Sequence, residues 1–313
     1  MSIRYGYACI NMELSYPKQF SKPKGTKPIM MSRGMIKKTF EQKGLAYASE
    51  LALQNVRDFI PILKWNLQND ITFFRVSSNV FPWASEYQLE QLPDYEEIQK
   101  VCRITGDFIK KNNIRITSHP GPYNKLASSD ERVILNTMRD LEIHGEFFDL
   151  LELPRTPESK INIHIGGAYG NKTKTLDLFC KNYDKLPETV KSRLTIENDD
   201  KKSLFSSKEL VAGLYSKIAI PIVFDYHHHA ISCPEIPEKE ALEEAISTWG
   251  NIRPVVHYSE SRSKEKNDPR IKDSAHSDYV VNKINDYGFD LDIMIEAKMK
   301  ELALTKYKLL HLT

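Results

Sequence analysis

Short runs rich in β-branched and aromatic residues alternate with longer amphipathic stretches along almost the whole 313-residue chain, and this alternation restricts the fold more than any other feature. The strand-like runs are Ile3–Ala8, Ile71–Val76, Ile114–Ser118, Ile161–Ile165, Leu194–Ile196, Pro221–Phe224, Val255–Tyr258 and Leu291–Ile295. Helical patterns lie between them, at about Gly34–Leu67, Asp94–Asn112, Asp130–Leu151, Lys174–Lys185 with a second piece near Glu188–Arg193, Ser207–Lys217, Lys239–Thr248 and Ser277–Tyr287. A last helix over Ala297–Leu310 closes the chain. Strands joined through helices pair in parallel, and eight such units predict an α/β fold of the (β/α)8 TIM-barrel type. No internal repeat, low-complexity tract or Pro/Gly-rich linker interrupts the pattern, so residues 1–313 read as a single domain.

Composition narrows the function classes without choosing one. The formal charge of +2, from 44 basic and 42 acidic residues, is too small to argue for nucleic acid by itself, so any electrostatic case rests on local clusters. Cys9, Cys102, Cys180 and Cys233 form no CxxC pair and read as reduced thiols, not as a disulfide framework or zinc knuckle. There is no apolar leader with a cleavage site, and no apolar run approaches the roughly 18 residues that span a bilayer. The expectation is a soluble intracellular protein with no membrane partner.

Barrels of this kind carry their chemistry at the C-terminal ends of the strands. After the third run comes Ser118-His119-Pro120-Gly121, the fourth leads into His164-Ile165-Gly166-Gly167, and the fifth ends in Glu197-Asn198-Asp199-Asp200. The sixth ends in Asp225-Tyr226-His227-His228-His229, the seventh in His257-Tyr258-Ser259 and the eighth in Glu296-Ala297-Lys298. A single strand-end histidine is more often a satisfied structural residue than a ligand. Six successive ends that each deliver His, Asp or Glu to one rim predict a ring of ligands around the barrel mouth. The alternation of a strand end cannot aim all of His227, His228 and His229 inward, so one or two of them are expected in support, hydrogen-bonded to backbone. His144, on a helix, and His311, in the tail, read as structural or solvated. Imidazole and carboxylate without thiolate suit manganese, zinc or magnesium with open coordination positions, not a closed structural zinc site.

Taken together, Arg4-Tyr5-Gly6-Tyr7, Phe74-Arg75-Val76-Ser77-Ser78, the His-Pro-Gly, His-Ile-Gly-Gly and Glu-Asn-Asp-Asp motifs above, Asp225 with its histidines, His276-Ser277-Asp278-Tyr279 and Ile295-Glu296-Ala297-Lys298 resemble the UV damage endonuclease family. The resemblance runs from the first strand to the last helix. It implies a metal-dependent (β/α)8 repair endonuclease akin to endonuclease IV, which incises double-stranded damaged DNA on the 5′ side of UV photoproducts and leaves a 3′-hydroxyl and a 5′-phosphate. A monomer without a nucleotide cofactor goes with that reading. The implied ligands are His119, His164, Glu197, Asp225, His228, His257, His276 and Glu296, with Glu197 and Asp225 as bridges and Glu197, Asp225, His257 and Glu296 carrying the chemistry. They would hold two to three divalent ions, manganese first, with zinc or magnesium as alternatives. Three ions against three carboxylates leave a charge of about +3, which suits a phosphate. Tyr7, Asn11, Pro122 and Tyr123 are implied contacts to the lesion, and Lys298 is implied to face phosphate or to support the ligands from behind.

The chain departs from the family pattern at three places. Pro122 stands where the family has glutamine, Asn79 where many relatives have histidine, and Val255 where relatives often have a lysine that can be carboxylated. Valine cannot ligate, so a third ion is expected to have one ligand fewer. Two loops past strand ends carry cations: Lys18, Lys22, Lys24 and Lys27 with Tyr16 and Phe20, and Arg262, Lys264, Lys266, Arg270 and Lys272 offset by Glu260, Glu265, Asp268 and Asp273. Each alone reads as a solvated loop, but on the metal-bearing rim both would meet phosphates. Tyr7, Trp83 and Tyr123 are the expected stacking aromatics there. Two rival readings remain at this level: a metal-dependent sugar isomerase-like barrel, disfavoured by so many histidine ligands, and a lesion-binding barrel with weakened catalysis, suggested by Val255, Asn79 and Pro122.

Overall fold

All eight strand-like runs form parallel strands in the computed structural model, which describes residues 3–16 and 25–312. They are β1 (Arg4–Ala8), β2 (Phe73–Arg75), β3 (Arg115–Thr117), β4 (Ile161–Ile163), β5 (Leu194–Glu197), β6 (Ile222–Asp225), β7 (Val255–Tyr258) and β8 (Asp292–Ile295). The hydrogen-bonded order is β3-β2-β1-β8-β7-β6-β5-β4. The remaining seam is bridged where Ser118 N–H donates to the Lys160 carbonyl at 2.9 Å and Asn162 N–H donates to the Ser118 carbonyl at 3.0 Å, so the sheet closes into a barrel. The expected (β/α)8 architecture is the observed one. The expected basic positions Lys18, Lys22 and Lys24 and the aromatic Phe20 lie outside the described residues.

Strand alternation sorts each run into two layers. Ala8, Phe73, Val223, Val255 and Met294 pack inside the barrel with Trp249 at its lower end, while Tyr5, Tyr7, Phe74, Ile163, Ile196 and Phe224 pack outward against the helices. Gly6 is required in β1, because a Cβ there would stand 2.6 Å from the Phe73 carbonyl oxygen. Among the described residues no helix is long and apolar enough to cross a membrane.

Two helical expectations need correction. The stretch read as one helix over Gly34–Leu67 is kinked within Lys37–Arg57 at non-helical Gly44 (φ 62°, ψ -156°) and then breaks before a separate helix, Phe59–Gln68. Pro61 explains the break: it has no N–H for the Arg57 carbonyl, and its ring would clash there, so it is tolerated only in the first turn of a new helix. The expected helix over Ser277–Tyr287 does not form. Its backbone donors are taken by two carboxylates instead: Glu265 accepts from Asp278 and Tyr279 N–H at 2.9 and 3.1 Å, and Glu260 accepts from Val281 and Asn282 N–H at 3.0 and 2.8 Å.

The end of the barrel opposite the strand C-termini is held by charge. Asp292, fully buried, accepts from Arg4 at 2.8 and 2.6 Å and from Arg115 at 2.8 Å, and Arg253 stands 3.0 Å away. Arg115, also buried, donates further to the backbone carbonyls of Pro157, Glu158 and Arg253. Removing the one carboxylate would strand buried guanidinium groups. Asp292→Ala is expected to cost about 3–5 kcal/mol, measured by denaturant unfolding of the metal-free protein.

Candidate metal centre

The strand C-termini bring seven of the eight expected ligands onto one rim. His119 follows β3, His164 follows β4, Glu197 and Asp225 end β5 and β6, His257 lies in β7, and Glu296 follows β8. Cross-strand register sets Asp225 directly beside His257. The histidine run does not continue as a strand. Asp225 is the N-cap of a short helix, Tyr226–Ser232, and its Oδ1 accepts from the His228 N–H at 2.7 Å. About 100° of turn per residue then separates the three rings. His228 turns to the ring of ligands and bonds the Asn198 carbonyl through Nδ1 at 2.9 Å, while His229 bonds the Ile236 carbonyl at 3.0 Å and His227 packs edge-on against His276 at 5.9 Å.

Among the described residues, candidate ligand atoms meet in three groups, within 4.8 Å of one another in each: His119, His164 and Glu197; Glu197, Asp225 and His228; Asp225, His257 and Glu296. Glu197 and Asp225 belong to two groups apiece, the positions expected for bridges. Glu197 Oε2 is 3.1 Å from His119 Nε2, 3.8 Å from His164 Nε2 and 3.0 Å from His257 Nδ1, and its Oε1 is 3.5 Å from His228 Nδ1. His276 is not brought into any group. Its Nδ1 bonds the Glu296 backbone carbonyl at 2.7 Å, at the edge of the cluster.

The donor set fits divalent cations. Asp225 Oδ2 and His257 Nδ1 are buried without an aligned hydrogen-bond partner, which is costly for groups this polar unless a cation takes them. Burial pushes the Asp225 carboxyl up to about 7, against the pull of His228, and pushes His257 down to about 4. Glu296 goes the other way: burial would raise it, but the Arg75 guanidinium it binds and the neighbouring His257 hold it well below the usual carboxylate range. Glu197 is likewise held low, because His257, His164 and His119 together outweigh its burial.

Several supporting groups had weak or no sequence signals. Asn162 donates to Glu197 Oε2, and Asp199 Oδ1 lies 3.2 Å from His164 Nδ1. Lys160, fully buried at the entry to β4, places Nζ 3.1 Å from His257 Nε2 and is pushed down to about 7 by that burial. A lysine opening an apolar strand was the only hint. Val255 packs against Val223, Trp249 and Met294 inside the barrel and offers nothing to an ion.

Among the expected DNA contacts, Tyr7 and Asn11 are overturned. Tyr7 is 0% exposed: its place in β1 turns it outward under the helices, where it donates to Asn66 Oδ1 at 2.7 Å and accepts from Asn11 Nδ2 at 3.1 Å. Asn11, also buried, caps the helix Met12–Ser15. Trp83 is no free rim aromatic either, since it stacks on Phe40 and donates to the Met35 carbonyl at 2.9 Å. Tyr123 is 87% exposed, with Pro122 exposed beside it, and Lys298 is exposed past Glu296. Asn79 is exposed as well. In the loop after β7, Arg262 and Lys266 pair with Asp278 and Arg270 pairs with Asp268, so much of that loop's positive charge is spent locally. An opening of about 420 Å³, lined by Arg75, His119, Pro122, His164, His228 and Glu296, leads to the ring.

A (β/α)8 barrel with its chemistry on the C-terminal rim is a fold class shared by enzymes of different kinds. Endonuclease IV from Thermus thermophilus superposes with a TM-score of 0.54 at 15% identity over 98% of both chains, and 3-keto-D-glucoside 4-epimerase from E. coli with 0.51 at 11% identity over 83% of this chain and 92% of the other; both share the fold alone. Sequence is more specific. The crystal structure of SacUVDE matches with a TM-score of 0.82 and 30% identity over 98% of this chain and 96% of that one. The UV DNA damage endonuclease of Bacillus cereus (strain G9842) is 36% identical over 264 residues, 80% of this chain and 78% of the relative. The family described as UV-endonuclease UvdE matches residues 3–313, and the chain belongs to it.

The buried Asp225 makes a pH prediction for the metal-free protein. A carboxyl whose folded pKa is raised to about 7 supports folding at low pH and withdraws that support as pH rises towards 7. In EDTA, Asp225→Asn should therefore melt above wild type at pH 8, by a margin that shrinks towards pH 5. A margin independent of pH would contradict the assigned environment.

Proposed function

We propose that this chain is a metal-dependent DNA repair endonuclease that cuts the phosphodiester on the 5′ side of UV photoproducts, leaving a 3′-hydroxyl and a 5′-phosphate, with abasic and other distorted sites within its reach. The observation that carries this reading is the convergence of His119, His164, Glu197, Asp225, His228, His257 and Glu296 on three contiguous groups beneath an open mouth. Membership in the UV-endonuclease family supports the choice of DNA over sugar.

Glu197 and Asp225, each belonging to two of the groups, would help to hold two to three divalent ions, with manganese first and zinc or magnesium as alternatives. When bound, such ions lower the pKa of water and stabilise both the attacking and the leaving oxygen of an in-line phosphoryl displacement. His119, His164, His228, His257 and Glu296 would supply the remaining donors, and His276 stands next to the cluster for an outer contact. No protein nucleophile is required. Arg75, at the mouth and bound to Glu296, and exposed Lys298 supply cations where the phosphodiester would enter. Pro122 and Tyr123 form the exposed wedge on the adjoining loop, suited to replacing a poorly stacked lesion in a duplex. The protein acts as a monomer in this reading, since one chain contains the whole site.

Purified protein with Mn²⁺ should nick UV-irradiated supercoiled plasmid well above the unirradiated control; equal nicking of both would sink the activity. Glu197→Gln should abolish incision while circular dichroism stays native. Tyr123→Ala should weaken binding to a photoproduct duplex by about 1–3 kcal/mol and leave binding to intact duplex nearly unchanged, read by fluorescence anisotropy.

A further inference from the structure

Lys160 is the one fully buried lysine among the described residues. Its backbone belongs to the seam that closes the barrel, where its carbonyl accepts from Ser118 N–H, so its Cα is fixed between β3 and β4. From there the side chain crosses the interior to β7 and ends with Nζ 3.1 Å from His257 Nε2. That contact is its side chain's one hydrogen bond among the described residues, and no carboxylate stands within ion-pair distance. Burying an amine this way costs more than burying an apolar side chain of the same length, so stability alone does not explain it.

The contact has a clear geometric consequence. His257 lies in the barrel wall with both ring nitrogens buried, and the nitrogen that Lys160 holds is the one turned away from the carboxylates. The other, Nδ1, is then left 3.0 Å from Glu197 Oε2 and 3.2 Å from Glu296 Oε1, in one group with Asp225. A ring flip would exchange Nδ1 for a carbon and remove the only nitrogen in that group. An imidazole that ligates through Nδ1 carries its proton on Nε2, so the group on the far nitrogen has to accept; Lys160, fully buried with no carboxylate within ion-pair distance, does so as the neutral amine.

We propose that Lys160 is a positioning residue for the ion site built by Asp225, His257 and Glu296, acting through His257 Nε2 to keep Nδ1 in the ring. The inference rests on the ring being a metal centre, and one set of titrations separates the two ideas. Metal-free wild type, Lys160→Met, His257→Ala and the double variant are titrated with Mn²⁺ by calorimetry, and bound manganese per chain is counted by mass spectrometry after gel filtration. Lys160→Met should weaken one ion about 10–100-fold, or lose it, without lowering the melting temperature in EDTA. In the His257→Ala background the same substitution should add nothing, because its target is gone. Wild-type ion binding by Lys160→Met, or an equal further loss in the His257→Ala background, would overturn the role. If Lys160→Met does not fold, Lys160→Leu takes its place in the same cycle. Failure of wild type itself to bind Mn²⁺ would instead refute the metal centre.

Discussion

The carboxylate of Glu197 is the point on which the site depends. It is 1% exposed, and four imidazoles, from His119, His164, His228 and His257, approach its two oxygens from four different elements. A buried carboxylate is tolerated only where opposite charge or donors surround it, and here those groups are themselves suited to ligating ions. The barrel makes this possible because closure through the Ser118–Lys160 seam sets the ends of β3 and β4 next to each other, so His119 and His164 arrive on the same side of Glu197.

The two ends of the barrel divide the work. At the strand N-termini, Asp292 is surrounded by guanidinium groups, and Arg4 and Arg115 donate to it while Arg115 also reaches backbone carbonyls. At the C-termini, Asp225 Oδ2 and His257 Nδ1 are left unsatisfied. Both ends bury charge, but at the second these two buried atoms have no aligned hydrogen-bond partner. That asymmetry is the physical difference between a structural plug and a site that awaits a ligand.

The barrel and the gathering of histidines and carboxylates at its rim were legible because both follow from period and position: runs of period two end at residues of one chemistry, and register does the rest. Orientation was not legible. Tyr7 sits in a strand that alternates, and a shift of one residue decides whether an aromatic faces DNA or the helix layer; its hydroxyl turned out to serve Asn66 and Asn11. The Ser277–Tyr287 stretch has helical spacing, yet Glu260 and Glu265, distant in the pattern, capture its backbone donors. The histidine run hid a helix start because Asp225 ends a strand and caps a helix at once. Lys160 has no local pattern to mark it, because its partner is almost a hundred residues away on another strand.

The proposed chemistry requires metal in the ring. Anomalous diffraction at the manganese edge, from crystals grown with Mn²⁺, tests it most directly. The prediction is at least two peaks at bonding distance, about 2 Å, from the ligand atoms, one pair of them sharing the Glu197 carboxylate. A ring without anomalous density, or a single ion that leaves Glu197 uncoordinated, would contradict the central claim.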